Sequence, residues 1–538
     1  MRSNISAHFK LSRKNFSLVF LFIFVLMIMV RVVLLLLDAF PFNSDEAIVG
    51  LMALHINSGE LPIFFYGQAY MGSLDAFLVA LGFLIFGNHI ITIRIIQTIL
   101  FTATFILIYK ICRENYDDPK VAYLAAILLA IPSVNILLYT TVSLGGYGEA
   151  LFLGNLSVLL SLRIKRRKIN NPFWYFVIGF IFGLGLWANA LTVVYSIPCG
   201  LFLIIDLIQD KNKKSLSYRF FLLVAGILVG SLPWWIYASQ VGIFPLIREL
   251  TGSAVSVETQ GFFGKIVQHG INFLVFGTTV LAGLRPPWDF QFSLPLLAPI
   301  IGGFWVLVYF DSVRAIFQKS QNDSLGKLYL GVFITFLIGF LFTSFGVDPS
   351  GRYFLPLAIF QVIPAAVFLR RKIQKPYLIG IVLVAILING VIGIKNALDK
   401  PAQGITTQFY TATVIDHRYD DALIEFLEVH GETRGYTNYW VAYPIIFRSS
   451  ERVILSPALP YHLDLRYTNR DDRYKIYTEM VNLSDRTVYI TTNNKLLDEK
   501  ITAKFVNSGI TWEETQIGDY HVFYGLSRPI RPGELEIN

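Results

Sequence analysis

Long apolar runs, each about 20 residues, recur along this chain and constrain it more than any other feature. Candidate spans lie at 16–37, 90–111, 120–139, 147–163, 172–189, 190–209, 219–238, 294–311, 328–346, 353–370 and 376–396. A helix of that length crosses the hydrocarbon core of a bilayer while satisfying every backbone N–H and C=O within itself. The pattern predicts a polytopic α-helical membrane protein with about 11 transmembrane helices. Two more apolar stretches, 74–87 and 266–284, are short or interrupted and read as interfacial or re-entrant. Composition agrees: only 15% of residues are charged and 54% are hydrophobic, against about 25% charged in soluble chains, so lipid must solvate much of the surface. The first run, after Arg13-Lys14, is too long for a signal-peptide core and no small-residue cleavage site follows it, so it reads as a membrane helix.

The net charge of +8 is explained by where the cations sit. With the N-terminus in the cytoplasm, the loops at 112–120, 163–171, 210–218, 312–327 and 370–375 fall inside and hold the basic clusters Arg163 to Lys168, Lys211 to Lys214 and Arg370 to Lys375, as the positive-inside rule requires. No basic run is interleaved with aromatics, so no nucleic-acid partner is expected. The loop after the first helix, the loop at 239–293, the tip from Val347 to Tyr353 and everything after Leu398 then lie outside, in a protein of the plasma (inner) membrane. Cys112 and Cys199 sit in or beside apolar segments and imply neither a disulfide framework nor a metal site.

After Asp399 charges become frequent and apolar runs shorten to strand length. Helical spacing marks 421–430, 472–481 and 494–507; β-type runs mark 453–455 and 487–491; Gly518-Asp519 separates two strand-like runs, as in a hairpin. The chain therefore divides into a membrane bundle over residues 1–398 and a soluble α/β domain over 399–538.

The residues most suggestive of chemistry follow the first span: Pro41-Phe42-Asn43-Ser44-Asp45-Glu46-Ala47. Locally this is a helix start, with Ser44 as cap and two acids favoured by the helix dipole; the same acids at the outer edge of a bundle also suit a reaction site. The next stretch, Leu61 to Asp75, is aromatic and Gly-punctuated, and runs into Phe83-Leu84-Ile85-Phe86-Gly87 and Arg94. Late in the bundle stands Gly351-Arg352-Tyr353-Phe354-Leu355-Pro356, where Arg352 and Tyr353 also fit an interfacial anchor.

In the order of these motifs the membrane half, about residues 15–400, resembles the GT-C superfamily of membrane glycosyltransferases, in particular the protein O-mannosyltransferases and lipid A aminoarabinose transferases. The resemblance implies transfer of a hexose from a polyprenyl-phosphate donor, of undecaprenyl or dolichyl type, to a hydroxyl of a protein, lipid or glycan acceptor. Inverting displacement needs a base, for which Asp45 is first choice; Glu46 could orient the acceptor, hold a divalent cation or position Asp45. The leaving lipid phosphate needs a fixed cation: Arg352 with Tyr353 leads, and Arg285, Arg248, Lys265 and His269 share the outer side. Glu149, after Leu144-Gly145-Gly146-Tyr147-Gly148, is either a helix-start acid or part of an acceptor or metal site, and His55 and His269 are carried as candidates for the same role. The Gly-rich stretch lacks the Lys-Ser/Thr of a phosphate loop. Leu232-Pro233-Trp234-Trp235 resembles a superfamily segment and also fits an aromatic belt; the Asn482-Leu483-Ser484 sequon carries no weight.

The competing class is a transporter or lipid flippase. That class shows paired, helix-breaking or ionisable sites at mid-membrane, whereas here the spans are nearly free of charge and the acids lie at an edge. A sensor anchored by its bundle would need far fewer spans.

Overall fold

A computed structural model describes residues 3–166, 169, 171–209, 213–252, 261–317, 324–348, 350–373, 375–399, 411–462 and 464–535. Among these, seven helices are long and apolar enough to cross a membrane: 18–36, 90–115, 190–208, 295–315, 324–342, 352–371 and 376–399. An eighth span forms from Leu216–Gly230 and Leu232–Val241, bent by 60° at Ser231. Pro233 occupies the first turn of the second piece, where its missing N–H costs no hydrogen bond. The run expected as one span over 120–139 is likewise broken around Pro132, into helices Pro119–Ala130 and Val134–Tyr139. Tyr147–Lys165 and Phe173–Ala188 form two further bundle helices. The stretch at 74–87 is a short helix, Leu74–Phe86, and that at 266–284 is a helix interrupted by a π turn at Asn272–Gly277. Labels are used below for the first elements: α1 (Ser3–Leu36), α2 (Ser44–Asn57), β1 (Phe64–Phe65), β2 (Gln68–Gly72), α3 (Leu74–Phe86) and α4 (Ile90–Asn115).

The span that opens with Arg352 is the centre of the bundle: 78% of it is buried, against 17% for Pro376–Asp399 and 22% for α1. Around it, Phe173–Ala188 and Lys213–Gly230 cross on paired glycines. A methyl on Gly179 or Gly183 would stand 2.1–2.2 Å from the carbonyl oxygens of Leu223 or Ile227, and one on Gly226 or Gly230 would stand 2.2 Å from those of Phe176 or Phe180. Spaced four apart, such residues share a face and let two backbones touch, the usual way membrane helices gain packing without a hydrophobic driving force. Gly183→Leu should force this crossing apart and destabilise the protein by about 1–3 kcal/mol or more, read as an earlier thermal unfolding midpoint in detergent.

The basic clusters gather at one end of the bundle, where acids meet them: Arg163 with Glu114, Lys165 with Asp206, Arg370 with Asp118 and Lys372 with Asp311. Asp45 is at the other end.

The C-terminal part is a mixed sheet of five strands, in the order β4-β3-β5-β7-β6: β3 (Arg434–Tyr436), β4 (Ile454–Ser456), β5 (Val488–Thr492), β6 (Glu513–Ile517) and β7 (Tyr520–Tyr524). β4, β3 and β5 run parallel, joined by crossover helices Tyr439–Arg448 and Lys475–Asn482; Lys495–Asn507 leads to the antiparallel hairpin β6–β7, which turns on Gly518. The α/β expectation holds, and the helices and strands read from the sequence fall within a few residues of those observed. β3 and the Tyr439–Arg448 helix were not foreseen. A strand of three residues leaves too short a pattern, and the helix is nearly all buried, so it shows no polar face.

This domain rests on the loop that follows α1. Tyr439–Arg448 lies along α2, with the Phe447 ring over Gly50, where a Cβ would come within 2.6 Å. At the far end of α2, His55 contacts Glu451 at 3.1 Å, and Tyr474 donates to Glu60 at 2.7 Å while stacking on Tyr66.

Candidate active site

The site is built on the first turn of α2. Asn43, rather than the expected Ser44, is the cap: its side chain accepts from the Glu46 N–H at 3.1 Å. Ser44 instead donates its hydroxyl to the Tyr439 carbonyl at 2.6 Å, tying the helix start to the soluble domain. Consecutive residues on a helix point about 100° apart, and the two acids diverge accordingly. Glu46 is fully buried and grips Arg94 with both oxygens, at 3.0 Å each, while Arg94 also reaches Asp38 at 2.7 Å. Asp45 is partly exposed, and its Oδ1 accepts the Tyr439 hydroxyl. Of the acidic pair, then, Asp45 is the partly exposed one, and Glu46 locks α2 to α4.

Arg352 opens the central span on the same side. Its Nε donates to Asp348 at 2.7 Å and its guanidinium lies 5.0 Å from the Tyr353 ring centre. Tyr70 of β2 is within electrostatic reach of Asp45 and of Arg352, and burial raises its hydroxyl above the usual tyrosine range. The Tyr353 hydroxyl, buried and without a well-formed hydrogen bond, turns toward Tyr70. Tyr70 is thus within electrostatic reach of both motifs, which lie some 300 residues apart in the chain.

The soluble domain closes this group from above. Arg473 sits 5.4 Å from the Tyr439 ring centre, with the Gln68 amide oxygen turned toward it at 2.7 and 2.8 Å. Among the described residues, its buried Nε has no hydrogen-bond partner. Burial pulls its guanidinium down, but Tyr439, Asp45 and Asp471 around it outweigh this and keep it charged. Asp471, 6% exposed, is pushed up to about 7 by burial against the pull of Arg473, with the charge of Asp45 adding to the rise. Burial and the neighbouring Asp45 hold the Tyr439 hydroxyl well above its ordinary range, so it stays a donor.

The remaining candidates are placed around this group. Glu149 is 1% exposed, neither of its oxygens has a well-formed hydrogen bond, and it lies against Asp75. Asp75 in turn accepts from Gln97, Ser143 and the Gly146 N–H. The Gly145-Gly146 turn, left-handed at both residues (φ +89° and +80°), therefore aims its amides at a carboxylate of the protein itself. His55 is part of the contact between α2 and the soluble domain, bonded to Tyr66 and Glu451. His269 bonds the Leu341 carbonyl at 3.0 Å and, with Asn272, holds the turn that leads to Asp348 and Arg352. Arg285 is committed to its own loop: it donates to Thr279 and to the carbonyls of Phe276, Pro286 and Asp289, and burial lowers it to about 10. Arg248 is exposed, Lys265 is half-buried, Trp234 is buried and Trp235 donates to Ser231. Asn482 accepts the Tyr436 hydroxyl within the soluble domain. Among the described residues, no three His, Cys, Asp or Glu side chains converge as metal ligands.

Tyr439, Asp471 and Arg473 escaped the sequence reading. Tyr439 opens a buried helix, Asp471 and Arg473 lie just before another, and the run Arg470-Asp471-Asp472-Arg473 looks like any solvated charge cluster. Its one signal was the density of charge beside Tyr467 and Tyr474.

A membrane bundle with an α/β domain after it is the GT-C architecture of membrane glycosyltransferases. The chain carries that fold. ArnT from Cupriavidus metallidurans superimposes with a TM-score of 0.58 over 93% of this chain and 97% of its own, at 11% identity. The apo oligosaccharyltransferase from Archaeoglobus fulgidus gives 0.50 over 90% and 70%, at 12% identity. Residues 72–237 match the family model described as dolichyl-phosphate-mannose-protein mannosyltransferase. No curated protein sequence matches.

Proposed function

We propose that this protein transfers a hexose from a polyprenyl-phosphate donor to an acceptor hydroxyl, on the face of the membrane that Asp45 occupies. The observation that carries the reading is that Tyr70 lies within electrostatic reach of both Asp45 and Arg352. A carboxylate with one oxygen held by Tyr439 has the other for the acceptor proton. As the acceptor oxygen attacks the anomeric carbon, the glycosyl–phosphate bond breaks and charge grows on the phosphate. A guanidinium suits that charge, binding two oxygens at once. The match of residues 72–237 to dolichyl-phosphate-mannose-protein mannosyltransferases supports a lipid-phosphate mannose or similar hexose as donor. The paired basic clusters at the opposite end support a cytoplasmic location for that end, which leaves Asp45 and the soluble domain extracytoplasmic. The bundle, residues 1–398, holds the lipid, and residues 399–538 lie over the acceptor.

The test is turnover of the purified protein in lipid nanodiscs with labelled polyprenyl-phosphate hexoses, scoring release of polyprenyl phosphate. Release that depends on an added acceptor is expected; none with any donor and acceptor tried sinks the proposal. Arg352→Met should raise the KM for donor by about 10–100-fold, the loss of a charge-assisted hydrogen bond of about 1.5–3 kcal/mol, with the KM for acceptor little changed.

A further inference from the structure

We propose that the basic end of the bundle binds one anionic phospholipid, in a cleft that takes the phosphate at its mouth and the start of an acyl chain along its floor. The inference stands apart from the sugar-transfer reading. A cavity of about 190 Å³ opens there between three membrane helices: Ala298–Phe317, Ser324–Phe342 and the central span that begins at Arg352. Its lining divides by depth. Leu330, Phe360 and Ile363 lie deeper in the bundle, and Tyr116, Ser312 and Lys327 lie toward its end. From Phe360 to Val367, which also lines the cleft, the span rises about 10 Å. The rings of Tyr329 and Phe360, 5.7 Å apart, form part of the deep wall.

The mouth stays cationic once its acids are counted. Asp311 is met by Lys372 at 3.2 Å. Asp118, in an adjoining cavity that shares Tyr116, is met by Arg370 at 2.5 Å. The guanidinium of Arg371 stands 5.6 Å from the Tyr116 ring centre. Lys327 and Arg371 together outweigh the exposed Asp117 beside them. That balance selects the occupant. A small hydrated anion would leave the apolar floor unused, and a zwitterionic lipid brings a cation of its own to a positive mouth. An anionic phospholipid matches both halves, and basic pockets between membrane helices are known seats for such headgroups. Phe360 and Ile363 belong to the span whose other end carries Arg352, so the lipid braces the centre of the bundle.

The test uses the full-length protein, stripped of lipid in detergent and titrated with phosphatidylglycerol or with phosphatidylcholine of the same chains. Native mass spectrometry counts the lipids retained, and thermal unfolding reads their effect. One phosphatidylglycerol per chain should be retained and should raise the unfolding midpoint saturably, as a ligand of the folded state does; phosphatidylcholine should do neither. Lys327→Glu reverses charge at the mouth and Ala315→Trp fills the cleft, both from exposed positions that line it. Each should weaken phosphatidylglycerol by about tenfold or more, the scale of a lost charged contact, while Lys395→Glu on another span should bind as wild type does. Lys327→Gln serves if the Glu variant does not fold. Equal retention of the two lipids by wild type overturns the inference, as does undiminished binding in folded Lys327→Glu and Ala315→Trp. Displacement of phosphatidylglycerol by inorganic phosphate would make this a free-anion site, and displacement by an equimolar polyprenyl phosphate would give it to that lipid; either result overturns the assignment.

Discussion

Asp45→Asn is expected to lower sugar transfer by about 10²–10⁴-fold, the usual contribution of a positioned base, while leaving the fold and donor binding intact. The substitution keeps the shape of the side chain. The amide oxygen can still accept the Tyr439 hydroxyl, and the position is partly exposed rather than buried, so no core is disturbed. What is lost is the capacity to take the acceptor proton. The measurement is release of polyprenyl phosphate beside an independent titration of donor binding. Full turnover in a folded Asp45→Asn protein would remove Asp45 from the chemistry, and a parallel loss of donor binding would move it to substrate recognition.

Arg94→Met should be the most destabilising single change in the bundle's loop end. Glu46 is 0% exposed, and both of its oxygens rest on this one guanidinium. Removing one partner of a buried pair strands the other charge, at a cost of about 3–5 kcal/mol. The consequence is local as well as global, because the turn that loosens is the one carrying Asp45. The double variant Arg94→Met with Glu46→Gln distinguishes a stranded charge from lost packing. It should unfold at a higher temperature than Arg94→Met alone, since no bare carboxylate then remains buried. If the double variant is the less stable of the two, the ion pair is not what holds α2 to α4.

These two expectations show how unevenly the sequence disclosed the site. The acid pair, the arginine at the start of a late span and their common end of the bundle were legible, because hydropathy fixes where spans stop and the short motifs fall at those stops. The division of labour between Asp45 and Glu46 was not. It depends on which side of α2 faces Arg94, and a helix buried on most sides carries no amphipathic signal to say so. Helix breaks at Pro132 and Ser231 were read through as single spans, since an apolar run looks the same whether straight or bent. In the soluble domain, longer elements were placed well from period and turn residues, but Tyr439 and Arg473 meet α2 and the β1–β2 turn through contacts that no local pattern encodes.

The hydroxyl of Tyr439 and the carboxylate it holds are 394 residues apart in the chain. At ribosomal rates of about 5–20 residues per second, Asp45 waits about 20–80 s for its partner to be made. Throughout that interval the newborn bundle threads the bilayer with that carboxylate lacking its tyrosine partner. Biosynthesis therefore sets an order of events in which insertion comes first and competence last. A chain cut short by a stalled ribosome or a nonsense codon before the final hundred residues is left a membrane protein without the Tyr439 hydroxyl that holds Asp45.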